Sequence, residues 1–145
     1  MRVVFLGTPE FAVPSLEMLC NPSNQFCEVV GIITQPDRPA GRGQKLQTSP
    51  VKVVAEKYRV TVLQPQKIRN NPAVFDFLED KNPDLIVVVA FGKILPIEFL
   101  DFPSLGTLNV HASLLPKYRG ASPIVHALLN GERETGITIM KIDEG

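Results

Sequence analysis

An amide and an imidazole stand two residues apart at Asn109 and His111, directly after an apolar run. In a β-strand, residues i and i+2 point to the same face, about 6.5 Å apart along the chain. The two side chains can therefore converge on one reacting carbonyl. An Asn amide can only hydrogen-bond, whereas an imidazole can carry a proton near neutral pH. Together they suit acyl transfer, which must stabilise an oxyanion and move protons between nucleophile and leaving group. The spacing alone leaves a blander alternative open: two polar residues at a strand end, bonded to loop backbone.

The surrounding residues are far more specific. Asn109-Val110-His111-Ala112-Ser113-Leu114-Leu115-Pro116-Lys117-Tyr118-Arg119-Gly120 resembles the signature of enzymes that use 10-formyltetrahydrofolate to formylate amines. The stretches Val4 to Ala12 and Thr34 to Gly43 resemble the branch of that family acting on methionyl-initiator tRNA. The likeness covers essentially the whole chain, but only the amino-terminal portion of the family's domain organisation. It implies a formyltransferase fold, truncated on its carboxyl-terminal side, with residues 1–145 forming an incomplete folate-binding catalytic domain. It also implies formyl transfer from 10-formyltetrahydrofolate to the amino group of methionyl-initiator tRNA; separately, a monomer with no metal and no membrane partner is expected. The alternatives are a formyltransferase for a sugar nucleotide or other small amine, and a non-catalytic folate- or RNA-binding module.

In this resemblance Asn109 is the oxyanion donor and His111 a charge-stabilising or proton-transfer group. A carboxylate normally orients such an imidazole. In the family it is the second Asp of a D-x-G-x-D-T-G pattern. The chain given ends at Asp143-Glu144-Gly145, so that carboxylate is expected two residues beyond Gly145, and Asp143 matches the first, non-catalytic Asp. The 145 residues alone are accordingly expected to be inactive. By the same resemblance, Phe91, Gly92, Lys93, Ile94 and Leu95 wall a pteridine pocket together with Ser113, Leu114, Leu115 and Pro116. A flat heterocycle has donors and acceptors along its edge, which backbone groups of such turns can meet. The bland alternative is an ordinary strand-to-helix loop with buried Phe91 and Leu95.

Gln35 to Ser49 is a long, polar, Gly/Pro-rich connection where about 2–6 residues are usual. Between Thr34 and Lys57 five basic residues (Arg38, Arg42, Lys45, Lys52, Lys57) face two acidic ones (Asp37, Glu56). Charge alone favours a solvated loop. The resemblance assigns the connection to the initiator tRNA acceptor end, through Arg38, Arg42 and Lys45. Arg42 carries most weight, because Gly41 and Gly43 flank it and permit movement. Lys117, Tyr118 and Arg119 can extend a basic rim, though Tyr118 can equally pack. His126, among apolar helix neighbours, reads as structural.

The elements that must position these residues follow from the apolar pattern. Val3 to Leu6, Val29 to Ile33, Thr61 to Leu63, Leu85 to Ala90, Leu105 to His111 and Ile137 to Ile142 read as strands. Helices are expected near Pro14, with Ala12, Leu16 and Leu19 on one face, and from Ser49-Pro50 to about Tyr58. Two more are expected from Pro72 to Lys81, and from Ser122-Pro123, as cap and first turn, to Asn130. Strand and helix alternating in this way predict an α/β, Rossmann-like open sheet, mostly parallel, with helices on both faces. Ligands then sit beyond the carboxyl ends of the strands. The first strand-to-helix turn has Gly7 alone and then Pro9, which argues against a pyrophosphate-binding nicotinamide site. With 44% hydrophobic and 21% charged residues and no net charge, nothing global advertises nucleic acid. Cys20 and Cys27 are too few for a disulfide framework or a metal site and read as reduced thiols. No run is long enough to span a membrane and no secretory signal is present, so a cytoplasmic location is expected.

Overall fold

A computed structural model describes residues 1–40 and 45–142. The apolar runs become strands: β1 (Arg2–Gly7), β2 (Glu28–Ile33), β3 (Arg38–Ala40), β4 (Lys45–Gln47), β5 (Val62–Leu63), β6 (Leu85–Val89), β7 (Thr107–His111) and β8 (Thr138–Lys141). The helices are α1 (Val13–Cys20), α2 (Pro50–Lys57), α3 (Pro72–Lys81), α4 (Ile97–Leu100) and α5 (Pro123–Leu129). Six strands form one sheet in the order β5-β2-β1-β6-β7-β8. Every pairing in it is parallel except β7 with β8, which is antiparallel. The expected architecture is therefore present, with one reversed strand at its edge.

Both sheet faces are covered, which is why the central strands are continuously apolar. Val3, Phe5, Val87 and Val89 pack with Leu16 of α1 and with Val51, Val54 and Ala55 of α2 on one face. Val4, Leu6, Ile86 and Val88 pack with Val74 and Leu78 of α3 and Phe99 of α4 on the other. In β2 this alternation slips, because a bulge opposite Val3 and Val4 pairs them with Val29 and Gly31. Val29 and Ile32, three apart, thus share a face. Gly31 leaves room there for the Phe77 ring, which a Cβ would approach to 2.7 Å unless the ring shifted. Leu128 and Leu129 of α5 and Ile139 of β8 are exposed apolar side chains.

From β1 the chain moves to β2 and then β5 on one side, and returns through α3 to β6 on the other. The strand order therefore reverses at the carboxyl ends of β1 and β6, the usual binding crevice of such sheets. At Gly7, at the end of β1, an added Cβ would lie 2.8 Å from the Ala12 Cβ and 3.0 Å from the Val89 carbonyl oxygen. This glycine serves close packing and not a phosphate loop.

Two local expectations need correction. The Gln35-to-Ser49 connection is not merely an irregular loop, because β3 and β4 pair within it as an antiparallel hairpin. Ser122 does not cap α5: it sits at φ +59° with no side-chain bond to the helix, and the helix begins at Pro123, whose ring presets a helical φ. The short α4 has too few residues to show a period in sequence.

Ser49, by contrast, caps α2 as expected, its hydroxyl accepting from the Lys52 N–H at 3.2 Å. It also bonds the buried Thr34 hydroxyl at 2.9 Å, closing the base of the long connection. Ser49→Ala removes the cap and leaves Thr34 unpaired, so it should lower unfolding free energy by about 1–3 kcal/mol. Adding Thr34→Val should recover part of that loss, because both polar partners are then gone. Denaturant melts of the single and double variants measure it. Strict additivity would show that the two hydroxyls do not depend on each other.

Candidate functional site

Asn109 and His111 occupy the carboxyl half of β7, between β6 and β8. Asn109 pairs with Val88, whose side chain faces the α3 and α4 side, while Val110 packs toward the α1 and α2 side. Asn109 and His111 therefore share the α3 and α4 face, and both are half-buried. The His111 Nε2 lies 2.9 Å from the Tyr118 carbonyl oxygen. A carbonyl can only accept, so Nε2 donates, and a neutral ring then accepts protons only at Nδ1. The imidazole is thus tied to loop backbone through one nitrogen.

The loop that provides this carbonyl is itself pinned. Because β8 runs antiparallel, its first residue, Thr138, lies opposite His111. The Thr138 hydroxyl donates to the Ser113 carbonyl at 2.7 Å and accepts from the Leu115 N–H at 3.2 Å. The Ser113 hydroxyl, fully buried, turns inward and donates to the Lys117 carbonyl at 2.7 Å. Of the four residues expected to wall a pocket here, Leu114 and Pro116 are exposed and Leu115 is half-buried. Tyr118 donates its hydroxyl to Glu132 at 2.8 Å, and its ring stacks on His126 with centroids 6.4 Å apart. His126 is exposed on α5. Lys117 also reaches Glu132, at 3.0 Å, and these hydrogen bonds, Tyr118 first, hold the Glu132 carboxyl below its usual range. Of the suggested basic rim, Lys117 is paired and Tyr118 packs.

The turn after β6 flanks the same mouth, since the carboxyl ends of β6 and β7 are neighbours. Ala90 at φ +47° and Gly92 at φ +75° both take left-handed backbone, which reverses the chain sharply. Phe91 is buried among the α3 and α4 core and Leu95 packs against it, whereas Ile94 is almost fully exposed. The Lys93 ammonium turns away to the Pro65 and Gln66 carbonyls, at 3.1 and 2.6 Å. Burial, and then the nearby Arg38 charge, hold Lys93 below its ordinary value.

On the other side of β1 the basic connection is partly neutralised. Lys52 pairs with Asp37 at 2.8 Å and Lys57 with Glu17 at 2.9 Å. Gln64 adds a bond to Asp37 at 2.8 Å, and the bonds from Lys52 and Gln64 lower the Asp37 pKa. Among the described residues Arg38 bonds the Gln35 side-chain oxygen, a neutral group, and pairs with no carboxylate. Arg42 lies outside the described residues, as do Asp143 and the side chain of Lys45 at the start of β4.

Gln35, Thr138 and Glu132 are residues that the motif reading missed. Their partners are remote in sequence, and nothing but the strand order and direction brings them near the motif. A cavity of about 660 Å³ at the opposite, amino-terminal ends of the strands, bordered by Leu19, Cys20, Cys27, Tyr58 and Arg59, offers no group arranged for acyl transfer. Burial first, and then Cys27, push the Cys20 thiol up to about 11, so it stays protonated and unreactive. Among the described residues no cluster of His, Cys, Asp or Glu can hold a metal ion, and no helix is long and apolar enough to cross a membrane.

Comparison with known proteins agrees with this geometry. A family model described as formyl transferase matches residues 1–145. A methionyl-tRNA formyltransferase of Synechococcus sp. (strain JA-2-3B'a(2-13)) is 56% identical over the whole chain, which spans 45% of that relative. Another, of Caldanaerobacter subterraneus subsp. tengcongensis, is 55% identical over the whole chain and 46% of its own length. The chain thus spans less than half of these curated relatives. Among solved structures, a phosphoribosylglycinamide formyltransferase of Anaplasma phagocytophilum superposes with a TM-score of 0.77 at 19% identity, over 100% of this chain and 66% of that one. A formyltetrahydrofolate deformylase of Pseudomonas syringae does so with a TM-score of 0.72 at 19% identity, over 99% and 46%. At that identity the superpositions establish the fold.

Proposed function

The chain belongs to the formyl transferase family, and from that premise we propose that it is the catalytic part of an enzyme formylating the amino group of methionyl-initiator tRNA from 10-formyltetrahydrofolate. The observation that carries this is the Asn109 and His111 pair on one face of β7, at the sheet's carboxyl ends, beside a turn and a pinned loop. The names of the relatives at 55% and 56% identity support tRNA as acceptor, and so does a connection whose Arg38 pairs with no carboxylate among the described residues.

The donor supplies an activated formyl group, and the residues present suit it. The left-handed backbone at Ala90 and Gly92 exposes main-chain groups where a flat heterocycle can be met edge-on. Asn109 donates its amide N–H to the formyl oxygen, where negative charge grows. His111 takes the proton that the attacking amine gives up and passes it to the departing N10, so that the bond from the formyl carbon to N10 breaks as the bond to the methionyl nitrogen forms and tetrahydrofolate leaves neutral at N10. Phe91 and Leu95 close the turn onto the core and help to exclude water. Arg38, Arg42 and Lys45 meet phosphates of the acceptor end.

The full-length protein, given 10-formyltetrahydrofolate, should formylate methionyl-initiator tRNA and leave an amino-sugar nucleotide and phosphoribosylglycinamide unmodified. Formylation of a small amine at a comparable kcat/KM would overturn the tRNA assignment. Arg42→Ala should weaken use of the tRNA while folate binding stays nearly unchanged, because its guanidinium can fork onto phosphate oxygens. The loss should shrink as salt rises, through screening and counterion release. Steady-state kinetics for each substrate at two ionic strengths check this, and an equal loss for both substrates would point to a folding defect.

A further inference from the structure

Gln35 lies just past the end of β2, and its side chain reaches across the end of β1 to the turn after β6. Its Nε2 donates to the Phe91 carbonyl at 2.6 Å, and its Oε1 accepts from the Arg38 Nη2 at 2.5 Å. The two neighbours fix the amide's orientation, since a carbonyl can only accept and a guanidinium can only donate. The main chain of Gln35 is held as well. Its N–H reaches the Thr8 hydroxyl at 3.4 Å, and its carbonyl accepts from Gln64 at 3.0 Å. Gly92 stands against it, close enough that an added Cβ would lie 3.1 Å from the Gln35 Nε2. One amide thus bridges the crevice where the strand order reverses, a place that such sheets otherwise leave to a ligand.

We propose that Gln35 is a positioning residue that couples the two substrates, by joining Arg38 on the acceptor side to the Phe91–Gly92 turn on the donor side. This rests on the proposed function, which places phosphates at Arg38 and the folate at the turn. A guanidinium has five N–H donors, and Gln35 takes only one of those on Arg38. A phosphate can fork onto the rest while the bond to Gln35 stays in place. Holding the guanidinium then holds the Gln35 amide, and the amide fixes the Phe91 carbonyl and the turn that follows. Hydrogen bonds in such a chain polarise and strengthen one another. Acceptor binding therefore tightens donor binding, and linkage requires the reverse effect by the same factor.

The test is the affinity of full-length protein for tetrahydrofolate, which carries no formyl group to transfer, by anaerobic calorimetry with and without saturating initiator tRNA. The wild type should bind tetrahydrofolate about fivefold or more tightly with tRNA present. Gln35→Glu keeps the size and the Arg38 contact but cannot donate to Phe91, and it should bring the ratio to about one. Gln35→Leu and Arg38→Ala should do the same by breaking the chain elsewhere. A merely structural Gln35 would weaken tetrahydrofolate equally with and without tRNA, lower the melting temperature and leave the ratio intact, which overturns the proposal. A wild-type ratio of one overturns it too. Wild-type protein that binds neither ligand refutes the functional reading itself, before any variant is compared.

Discussion

His111→Ala, in the full-length protein, is expected to slow formyl transfer by about 10²–10⁴. The expectation follows from the position of the imidazole, half-buried on the α3 and α4 face of β7 at the carboxyl end of the sheet, beside the turn after β6. Truncation removes the group proposed to handle the amine's proton, and it removes little packing, because the ring is only half-buried. The hydrogen bond lost to the Tyr118 carbonyl contributes about 0.5–1.5 kcal/mol in general. Stability should therefore fall slightly while kcat collapses. Steady-state formylation of methionyl-initiator tRNA, read beside a thermal melt, separates the two effects. A variant with nearly normal kcat and a lower melting temperature would make His111 a mere tether for its loop, the bland alternative that its bond to Tyr118 keeps in view.

Most of the fold was legible because one physical rule governed each legible element. Leu85 to Val89 is apolar throughout since helices cover both faces, so the sequence marks it as a central strand. Ser49-Pro50 marks the start of α2 because an N-cap hydroxyl and a proline at the first position are local devices. The same signal misled at Ser122-Pro123, where Ser122 takes left-handed backbone and its hydroxyl does not cap. Within the Gln35-to-Ser49 connection, Arg38 to Ala40 has too short a run to show alternation, and the hairpin was missed.

The candidate site was legible only where chemistry is written along the strand. Asn109 and His111 share a face because strand geometry has a period of two, and the register with β6 agrees. The groups that hold the loops are another matter. Thr138 meets Ser113 and Leu115 only because β8 runs antiparallel, a direction that sequence pattern does not encode. Gln35 meets Phe91, 56 residues away, only because β2 and β6 flank β1. Lys93, expected in the pocket wall, places its ammonium on the Pro65 and Gln66 carbonyls, a contact that no local pattern announces. Local rules name the candidate reacting groups, and long-range topology chooses what orients them.

Asn109→Ala should slow transfer by about 10²–10³, the usual cost of removing one oxyanion donor. Asn109 sits on an internal strand between Val88 of β6 and Met140 of β8, so its backbone ladder survives the change and the amide alone is lost. The effect should fall on kcat and hardly at all on the affinity for folate, because the amide's best interaction exists only while negative charge develops on the formyl oxygen. Asn109→Asp sharpens the test. It keeps the shape of the side chain but replaces the donor with a carboxylate, placing negative charge where negative charge must form. Its rate should fall at least as far as that of the alanine variant, although more of the side chain is retained. If instead both variants raise KM for 10-formyltetrahydrofolate at unchanged kcat, Asn109 serves ground-state binding, and the oxyanion has to be stabilised by some other donor near the mouth of β7.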